Sequence, residues 1–208
     1  MLVIIVSFFF SESNVISLVA SLMGVTALIF IAKGYVIGQI FVIIFAILYG
    51  IISFELTYYG EMITYVGMSA PIALISAITW LKNPYQGSKE VKVAKLTSKK
   101  VAILLVLTVA VTTAFYFILG ALGNANLIVS TVSVATSFFA ASLTVLRSPY
   151  YALAYSLNDI VLIALWGIAT INDISNLPTL MCFVVFLAND TYGFVNWRRM
   201  QKRQDINA

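Results

Sequence analysis

The chain has 208 residues, of which 62% are hydrophobic and 10% are charged, and its formal net charge is +4. Soluble domains carry roughly 25% charged residues, so this composition excludes an ordinary soluble protein and predicts an integral membrane protein. The sequence holds one cysteine and no histidine. A single cysteine cannot form an internal disulfide. The absence of histidine removes the commonest general base and metal ligand, which weakens any prediction of an enzyme or a metal site.

Apolar stretches of about 20 residues recur along the chain, which is the length of a helix across about 30 Å of hydrocarbon. Because lipid offers the backbone no hydrogen bonds, we expect an all-α bundle. Residues 1–10 are apolar but too short to span and lack signal-peptide features, so they predict an incomplete extra helix or a late gene start. Seven predicted spans follow, at about 15–32, 35–53, 62–81, 101–122, 126–146, 149–170 and 178–197.

Charged residues lie almost entirely between these spans. Residues 82–100 hold six lysines against one glutamate and predict a loop outside lipid. Alternating the seven spans places every Lys and Arg on one face, opposite Glu12, Glu55, Glu61 and Asp173 in the predicted links. The positive-inside rule therefore predicts a multi-pass protein of the cytoplasmic (inner) membrane with a cytoplasmic C-terminus. The membrane topology explains the positions of the basic residues, so the positive net charge does not predict a nucleic-acid partner.

The two halves of the sequence resemble each other. The segment LYGI at 48–51 in the second span matches LWGI at 165–168 in the sixth at an offset of 117 residues, and the same offset relates Trp80 to Trp197. Two parallel three-helix repeats joined by the fourth span are therefore predicted, a known transporter plan with substrate between the halves. The expected units are 1–100 (partial helix, first repeat and Lys-rich loop), 101–123 (linker helix) and 124–208 (second repeat and basic tail).

Two Asn-Asp pairs fall within predicted spans, Asn158-Asp159 in the sixth and Asn189-Asp190 in the seventh. An ionisable group at membrane depth costs roughly 2.5–3.5 kcal/mol and tends to face a bundle interior or a wet cavity. The pairs predict either a site for a ligand with hydroxyls or a positive charge, or an interhelical hydrogen-bond clamp. Tyr155 precedes Asp159 by four residues, so both side chains can face the same cavity.

Other side chains extend this candidate site. Trp166 and Tyr192 lie deep enough to stack on a flat ligand ring, whereas Trp80 and Trp197 adjoin basic ends and predict an interfacial aromatic belt. Gln39 is a lone polar residue early in the second span, and a binding role and a structural role are equally open for it. The candidate substrate-binding residues are Asn189, Asp159, Tyr155, Trp166, Asn158, Tyr192, Asp190 and Gln39.

Signals of an enzyme are missing from the sequence. It has no Gly-rich phosphate loop with a lysine, no metal-ligand spacing and no nucleophile paired with a base, so we expect no catalysis, no cofactor and no metal. The fifth span is rich in small hydroxyl residues, which mostly indicate close helix packing and less often ligand contact. These residues are Ser130, Thr131, Ser133, Thr136, Ser137 and Ser142.

Several motifs occur in a distinctive order. They are Ala32-Lys33-Gly34, Leu48-Tyr49, Tyr59-Gly60-Glu61, Trp80, Asp159 with Trp166, and Asn189-x-x-Tyr192-Gly193-x-x-Asn196-Trp197-Arg198. Across roughly residues 20–200 they resemble the PnuC family of nicotinamide riboside transporters. The resemblance implies a three-plus-one-plus-three bundle related to the SWEET sugar transporters. It also implies facilitated diffusion of a nucleoside-like vitamin, uptake driven by a cytoplasmic kinase, and a homotrimer.

The chain departs from the family pattern at its predicted pocket. Family members usually carry two tryptophans where this chain has Ala152 and Tyr155, and a Pro-x-Gln where Pro71 is followed by Ile72. Asn158 beside Asp159 is also unusual. These departures leave a deoxynucleoside or thiamin open as the cargo, and a non-transport membrane scaffold as a third reading.

Overall fold

The computed structural model describes residues 1–10, 15–124 and 126–207, and helices dominate these ranges. The helices are α1 Leu2–Phe10, α2 Val15–Ala32, α3 Ile37–Glu55, α4 Tyr59–Met62, α5 Ala70–Leu81, α6 Ser98–Ala121, α7 Leu127–Val145, α8 Tyr151–Asn172 and α9 Leu177–Ile206. A π-helix, Ile63–Ser69, joins α4 to α5, and a 3₁₀ turn, Ile174–Asn176, precedes α9.

The described ranges contain seven segments that are long and apolar enough to cross a membrane. They are α2, α3, the continuous α4–π–α5 segment, α6, α7, α8 and α9, so the predicted seven spans are confirmed. Helix α9 continues nine residues past Trp197, because the polar residues that follow keep helical propensity after they leave lipid. The predicted link residue Glu12 lies outside the described residues.

Six of the spans form a closed ring. In order around the ring, α2 packs on α3, α3 on α5, α5 on α7, α7 on α8, α8 on α9, and α9 on α2. The remaining span, α6, packs on the outside of α7, and its described buried residues are only Leu104 and Leu119. The short α1 packs on α9 and α2 and buries Ile4 completely. The interior of the ring is therefore the place where polar side chains can collect away from lipid.

Helices α2 and α7 each end in a tight turn, and the two turns are of the same kind. Gly34 has a φ of 73° and its N–H donates to the Ile31 carbonyl at 2.8 Å, while Arg147 has a φ of 55° and donates to the Thr144 carbonyl at 3.0 Å. A residue in the left-handed region closes a helix by satisfying its last carbonyl groups. Both turns direct the chain straight back into the bundle.

Two tryptophans contradict the predicted interfacial belt. Trp80 and Trp197 are only 1% and 0% exposed, and their ring centroids lie 5.3 Å apart. The Trp80 indole N–H donates to the Thr144 carbonyl at 3.0 Å, and that of Trp197 donates to the Ile31 carbonyl at 2.9 Å. Carbonyls at helix ends are available acceptors, so each ring closes the end of a helix inside the bundle.

Glu61 was predicted in an outer link, and this is also wrong. It belongs to α4, its side chain is fully buried, and the Ser133 hydroxyl donates to its Oε2 atom at 3.5 Å. The third span therefore begins at Tyr59 rather than near residue 62.

The Lys-rich segment forms the predicted loop up to Thr97, whose side chain caps α6 by accepting from the Lys100 N–H. The loop is tied to both halves of the bundle. The Val91 N–H donates to the Gly34 carbonyl at 3.0 Å, and the Ala94 N–H donates to the Arg147 carbonyl at 3.0 Å. The loop thus covers the same end of the ring as the two tight turns.

Candidate functional site

A cavity with several polar side chains in its wall lies inside the ring of six spans. Its walls come from all six ring spans, including α3, α8 and α9, which supply Gln39, Asp159 and Asp190. The free volume is about 60 Å³, which is room for a few water molecules. A ligand the size of a nucleoside therefore enters only when the surrounding side chains or helices move.

Two carboxyl groups meet at the cavity wall. Asp159 and Asp190 are each 2% exposed, and both line the cavity. The Oδ2 atom of Asp159 is buried and has no hydrogen-bond partner among the described residues. This unmatched acceptor is available to a ligand.

Asn158, next to Asp159, lines the cavity but is already engaged in helix packing. Its Oδ1 atom accepts hydrogen bonds from the Thr136 hydroxyl at 2.8 Å and from the Ser137 hydroxyl at 2.9 Å. These bonds join α8 to α7. Asn158 therefore acts as an interhelical hydrogen-bond clamp. Its neighbour Asp159 keeps one oxygen that has no partner among the described residues.

Gln39 and Ser76 also present unmatched polar atoms to the cavity. Gln39 is 2% exposed and Ser76 is 1% exposed, and within the described ranges neither the Gln39 Nε2 nor the Ser76 Oγ has a hydrogen-bond partner. An unsatisfied buried polar atom costs about 1–3 kcal/mol. With the free oxygen of Asp159, the cavity offers donors and acceptors to a ligand that carries both.

The structure brings five of the eight predicted residues to the cavity: Gln39, Tyr155, Asn158, Asp159 and Asp190. The other three lie elsewhere. Trp166 is fully buried and donates its indole N–H to the Tyr49 hydroxyl. Asn189 is half-buried with an unpartnered Nδ2 atom, and Tyr192 is 54% exposed on the outer face of α9.

Aromatic rings that sequence reasoning left out line the cavity. Tyr65 and Tyr151 belong to the wall, and so do Phe45 and Phe186, whose ring centroids lie 5.5 Å apart. Tyr65 lies 4.3 Å from Tyr49 between ring centroids. Apolar rings are abundant throughout this sequence, so no local signal separates those that face the cavity from those that face lipid.

The charges of the wall have one sign. Among the described residues that line the cavity, two are acidic and none is a lysine or an arginine. The described ranges also contain no group of three His, Cys, Asp or Glu side chains that could hold a metal ion. The chemistry of the cavity is therefore hydrogen bonding, aromatic contact and attraction of positive charge.

Six membrane spans enclose the cavity and a seventh packs outside them, an arrangement that is typical of membrane transporters. The sequence profile of the nicotinamide mononucleotide transporter family matches residues 14–199. The chain belongs to that family.

Individual relatives agree with this assignment. The nicotinamide riboside transporter PnuC of Neisseria mucosa is 29% identical over 203 residues, covering 95% of this chain and 77% of that protein. The nicotinamide riboside transporter PnuC of Haemophilus influenzae is 25% identical over 191 residues, covering 90% and 81%. The crystal structure of the vitamin B3 transporter PnuC superposes with a TM-score of 0.84 at 28% identity, covering 97% of this chain and 88% of that one.

Proposed function

We propose that this protein is a facilitator for nicotinamide riboside, and that the ligand binds in the cavity between Asp159, Gln39 and Tyr155. The pyridinium ring of nicotinamide riboside carries a positive charge, and its ribose carries hydroxyl groups. The two carboxyl groups match the charge, and the unmatched Gln39 and Ser76 atoms match the hydroxyls. Tyr155 and Tyr65 offer ring faces to the pyridinium, a contact worth about 0.5–2 kcal/mol.

The acidic side chains of the cavity wall are the main reason for proposing this cargo. A mononucleotide has a phosphate group, which proteins bind with arginine, lysine or helix N-termini. The cavity-lining residues that the structure describes include neither Lys nor Arg, and they include two acids. A phosphate would therefore meet repulsion, whereas the unphosphorylated riboside would not.

The purified protein is expected to bind nicotinamide riboside at least about 100-fold more tightly than nicotinamide mononucleotide, because two carboxyl groups face the phosphate. Isothermal titration with both ligands, and with thymidine and thiamin in parallel, measures the difference. Equal affinity for riboside and mononucleotide would contradict the proposal.

A deoxynucleoside or thiamin is the second candidate cargo. Tyr155, which lines the cavity, stands where the family usually has a tryptophan, so the pocket wall is altered at that point. A preference for thymidine or thiamin in the same titration would assign the altered wall to a changed cargo. Binding of none of the four ligands would favour the non-transport scaffold.

We further propose the two-repeat architecture, with units 1–100, 101–123 and 124–208, related to the SWEET transporters. Two pairs at the 117-residue offset support it: the Trp166 indole N–H donates to the Tyr49 hydroxyl, and the ring of Trp80 contacts that of Trp197. Residues related by a two-fold axis touch only near that axis, and both pairs touch.

The cavity lies between the two pairs, since Tyr65 contacts Tyr49 and Tyr151 contacts Trp197. We infer that these ring clusters are the outer and inner gates.

The wider transport cycle is part of the same proposal. A facilitator equilibrates its cargo, so a cytoplasmic kinase that phosphorylates the riboside would retain it in the cell. The functional partners are thus the nucleoside-like cargo, the lipid bilayer and that kinase, and the assembly is a homotrimer. The exposed α6, which carries little of the buried core, is the surface that supports a lipid or subunit contact.

The C-terminus is expected on the cytoplasmic side of the inner membrane, because every Lys and Arg lies on that face. In a Cys182→Ser background, which lacks cysteine, Asn207→Cys and Asp173→Cys place single thiols at exposed positions on the two predicted faces. An impermeant maleimide should label the Asp173→Cys variant in intact spheroplasts and the Asn207→Cys variant only after permeabilisation. The reverse pattern would overturn the orientation.

A further inference from the structure

A second polar cluster lies outside the cavity, between α4 and α7. Glu61, Thr64, Ser130 and Ser133 are each 0% exposed, and none of them lines the cavity. Together they supply two carboxyl oxygens and three hydroxyl oxygens. Such a collection is unusual at membrane depth, where polar groups normally pair with one another.

Helical spacing and one close helix contact assemble the cluster. Glu61 and Thr64 are three residues apart on the third span, and Ser130 and Ser133 are three apart on α7, so each pair shares a helix face. The Ser133 hydroxyl contacts Glu61 Oε2 at 3.5 Å. A Cβ atom at Gly60 would lie 3.1 Å from the Ser130 Cβ, so only glycine allows this approach without displacement.

Most of these oxygens have nothing to bind. Within the described ranges, Glu61 Oε1, Thr64 Oγ1 and Ser130 Oγ have no hydrogen-bond partner, and neither of the two ion pairs there involves Glu61. An unsatisfied buried polar atom is destabilising. The unmatched carboxyl oxygen of Glu61 and the two unmatched, fully buried hydroxyl oxygens of Thr64 and Ser130 therefore indicate a site for a positive ligand.

The donor set identifies the class of that ligand. All the ligands are oxygens, which excludes metals that favour nitrogen or sulfur. One carboxylate neutralises one charge, whereas Ca²⁺ takes six to eight oxygens and Mg²⁺ a near-ideal octahedron. We propose that Glu61, Thr64, Ser130 and Ser133 bind a monovalent cation, Na⁺, which fixes α4 against α7 at the outer end of the bundle.

The cation is a resident stabiliser and is not a co-transported ion. Tyr65 lies four residues after Glu61 and lines the cavity, and it packs on Tyr49, which binds Trp166. None of the four residues of the cluster lines the cavity, so the proposed cation lies apart from the cargo site. The π-helix that begins at Ile63 starts beside the cluster, in keeping with the frequent occurrence of π segments at functional sites.

Sodium is expected to stabilise the purified protein in the absence of any cargo. In detergent, Tm should be about 5 °C higher in NaCl than in choline chloride at equal ionic strength, and saturable ²²Na⁺ binding should be measurable. Glu61→Gln should abolish both effects, and Glu55→Gln, an exposed glutamate near the same end, should keep both. Thr64→Val, which keeps the side-chain shape, should weaken ²²Na⁺ binding about tenfold.

Two results would overturn the proposal. The first is an equal Tm in the two salts with no saturable ²²Na⁺ binding to the unmodified protein. The second is unchanged ²²Na⁺ binding after Thr64→Val or Glu61→Gln. Should Glu61→Gln fail to fold, the Thr64→Val variant carries the test. Because no cargo is present, neither result depends on the transport proposal.

Discussion

Replacement of Asp159 by asparagine is expected to weaken nicotinamide riboside binding by about 10- to 150-fold. Hydrogen bonds to a charged group contribute about 1.5–3 kcal/mol, and each 1.4 kcal/mol is a tenfold change in affinity. Asparagine keeps the shape of the side chain but removes the negative charge. The Oδ2 atom of Asp159 is the buried carboxyl oxygen that the described residues leave unmatched at the cavity, so its loss should act on the ligand more than on the fold.

Asp173→Asn is the matched control for this measurement. Asp173 is an exposed aspartate that caps the 3₁₀ turn by accepting from the Ser175 N–H at 2.9 Å, and this bond holds the pKa of its carboxyl group below the ordinary value. Asparagine caps about as well as aspartate, so the fold should be kept. Titration calorimetry should give unchanged affinity for the control. Equal affinities for Asp159→Asn and the unmodified protein would remove Asp159 from the site.

The helices could be predicted because lipid makes the sequence signal simple. Every span must be apolar for about 20 residues and must end where charge or glycine appears. The first span was predicted at 15–32, and α2 is Val15–Ala32. The rule fails where a helix leaves the membrane and continues, as α9 does past Trp197, because hydropathy ends there while helical propensity does not.

Burial inside the bundle was harder to predict. Glu61 looked like a link residue because it follows the polar end of the second span, yet α4 folds it inward against Ser133. Trp80 and Trp197 looked interfacial because basic residues follow them, yet both donate to carbonyls at the ends of facing helices. The local sequence indicates how deep in the membrane a residue lies. It does not indicate whether the side chain points at lipid or at a neighbouring helix.

Most of the polar residues predicted for the candidate site reach the cavity, and Asn189 is the exception. Gln39, Asn158, Asp159 and Asp190 reach the cavity because polar groups in an apolar span have few other places to go. Tyr192 does not, because a tyrosine is tolerated on a lipid-facing surface, and Trp166 does not, because its N–H is already bound to Tyr49. Aromatic residues therefore need the structure before a role in binding can be assigned.

The aromatic cluster of Trp80, Tyr151 and Trp197 gives the prediction with the largest effect on stability. Trp197→Ala is expected to lower the free energy of unfolding by about 3–5 kcal/mol, the usual cost of removing a buried tryptophan. The ring is 0% exposed, contacts Trp80 and Tyr151, and donates to the Ile31 carbonyl at 2.9 Å, so α9, α2 and the facing half of the bundle all lose a contact.

Tyr192→Ala on the same helix is the control, since it removes a large aromatic side chain that is 54% exposed. Surface substitutions usually change stability by about 0.5 kcal/mol or less. Unfolding of both variants by sodium dodecyl sulfate in mixed micelles, followed by tryptophan fluorescence and circular dichroism, gives the two free energies. A similar loss for the two variants would mean that Trp197 does not join the halves of the bundle. A large loss for Trp197→Ala alone would support its position near a two-fold axis, where one ring stabilises both repeats.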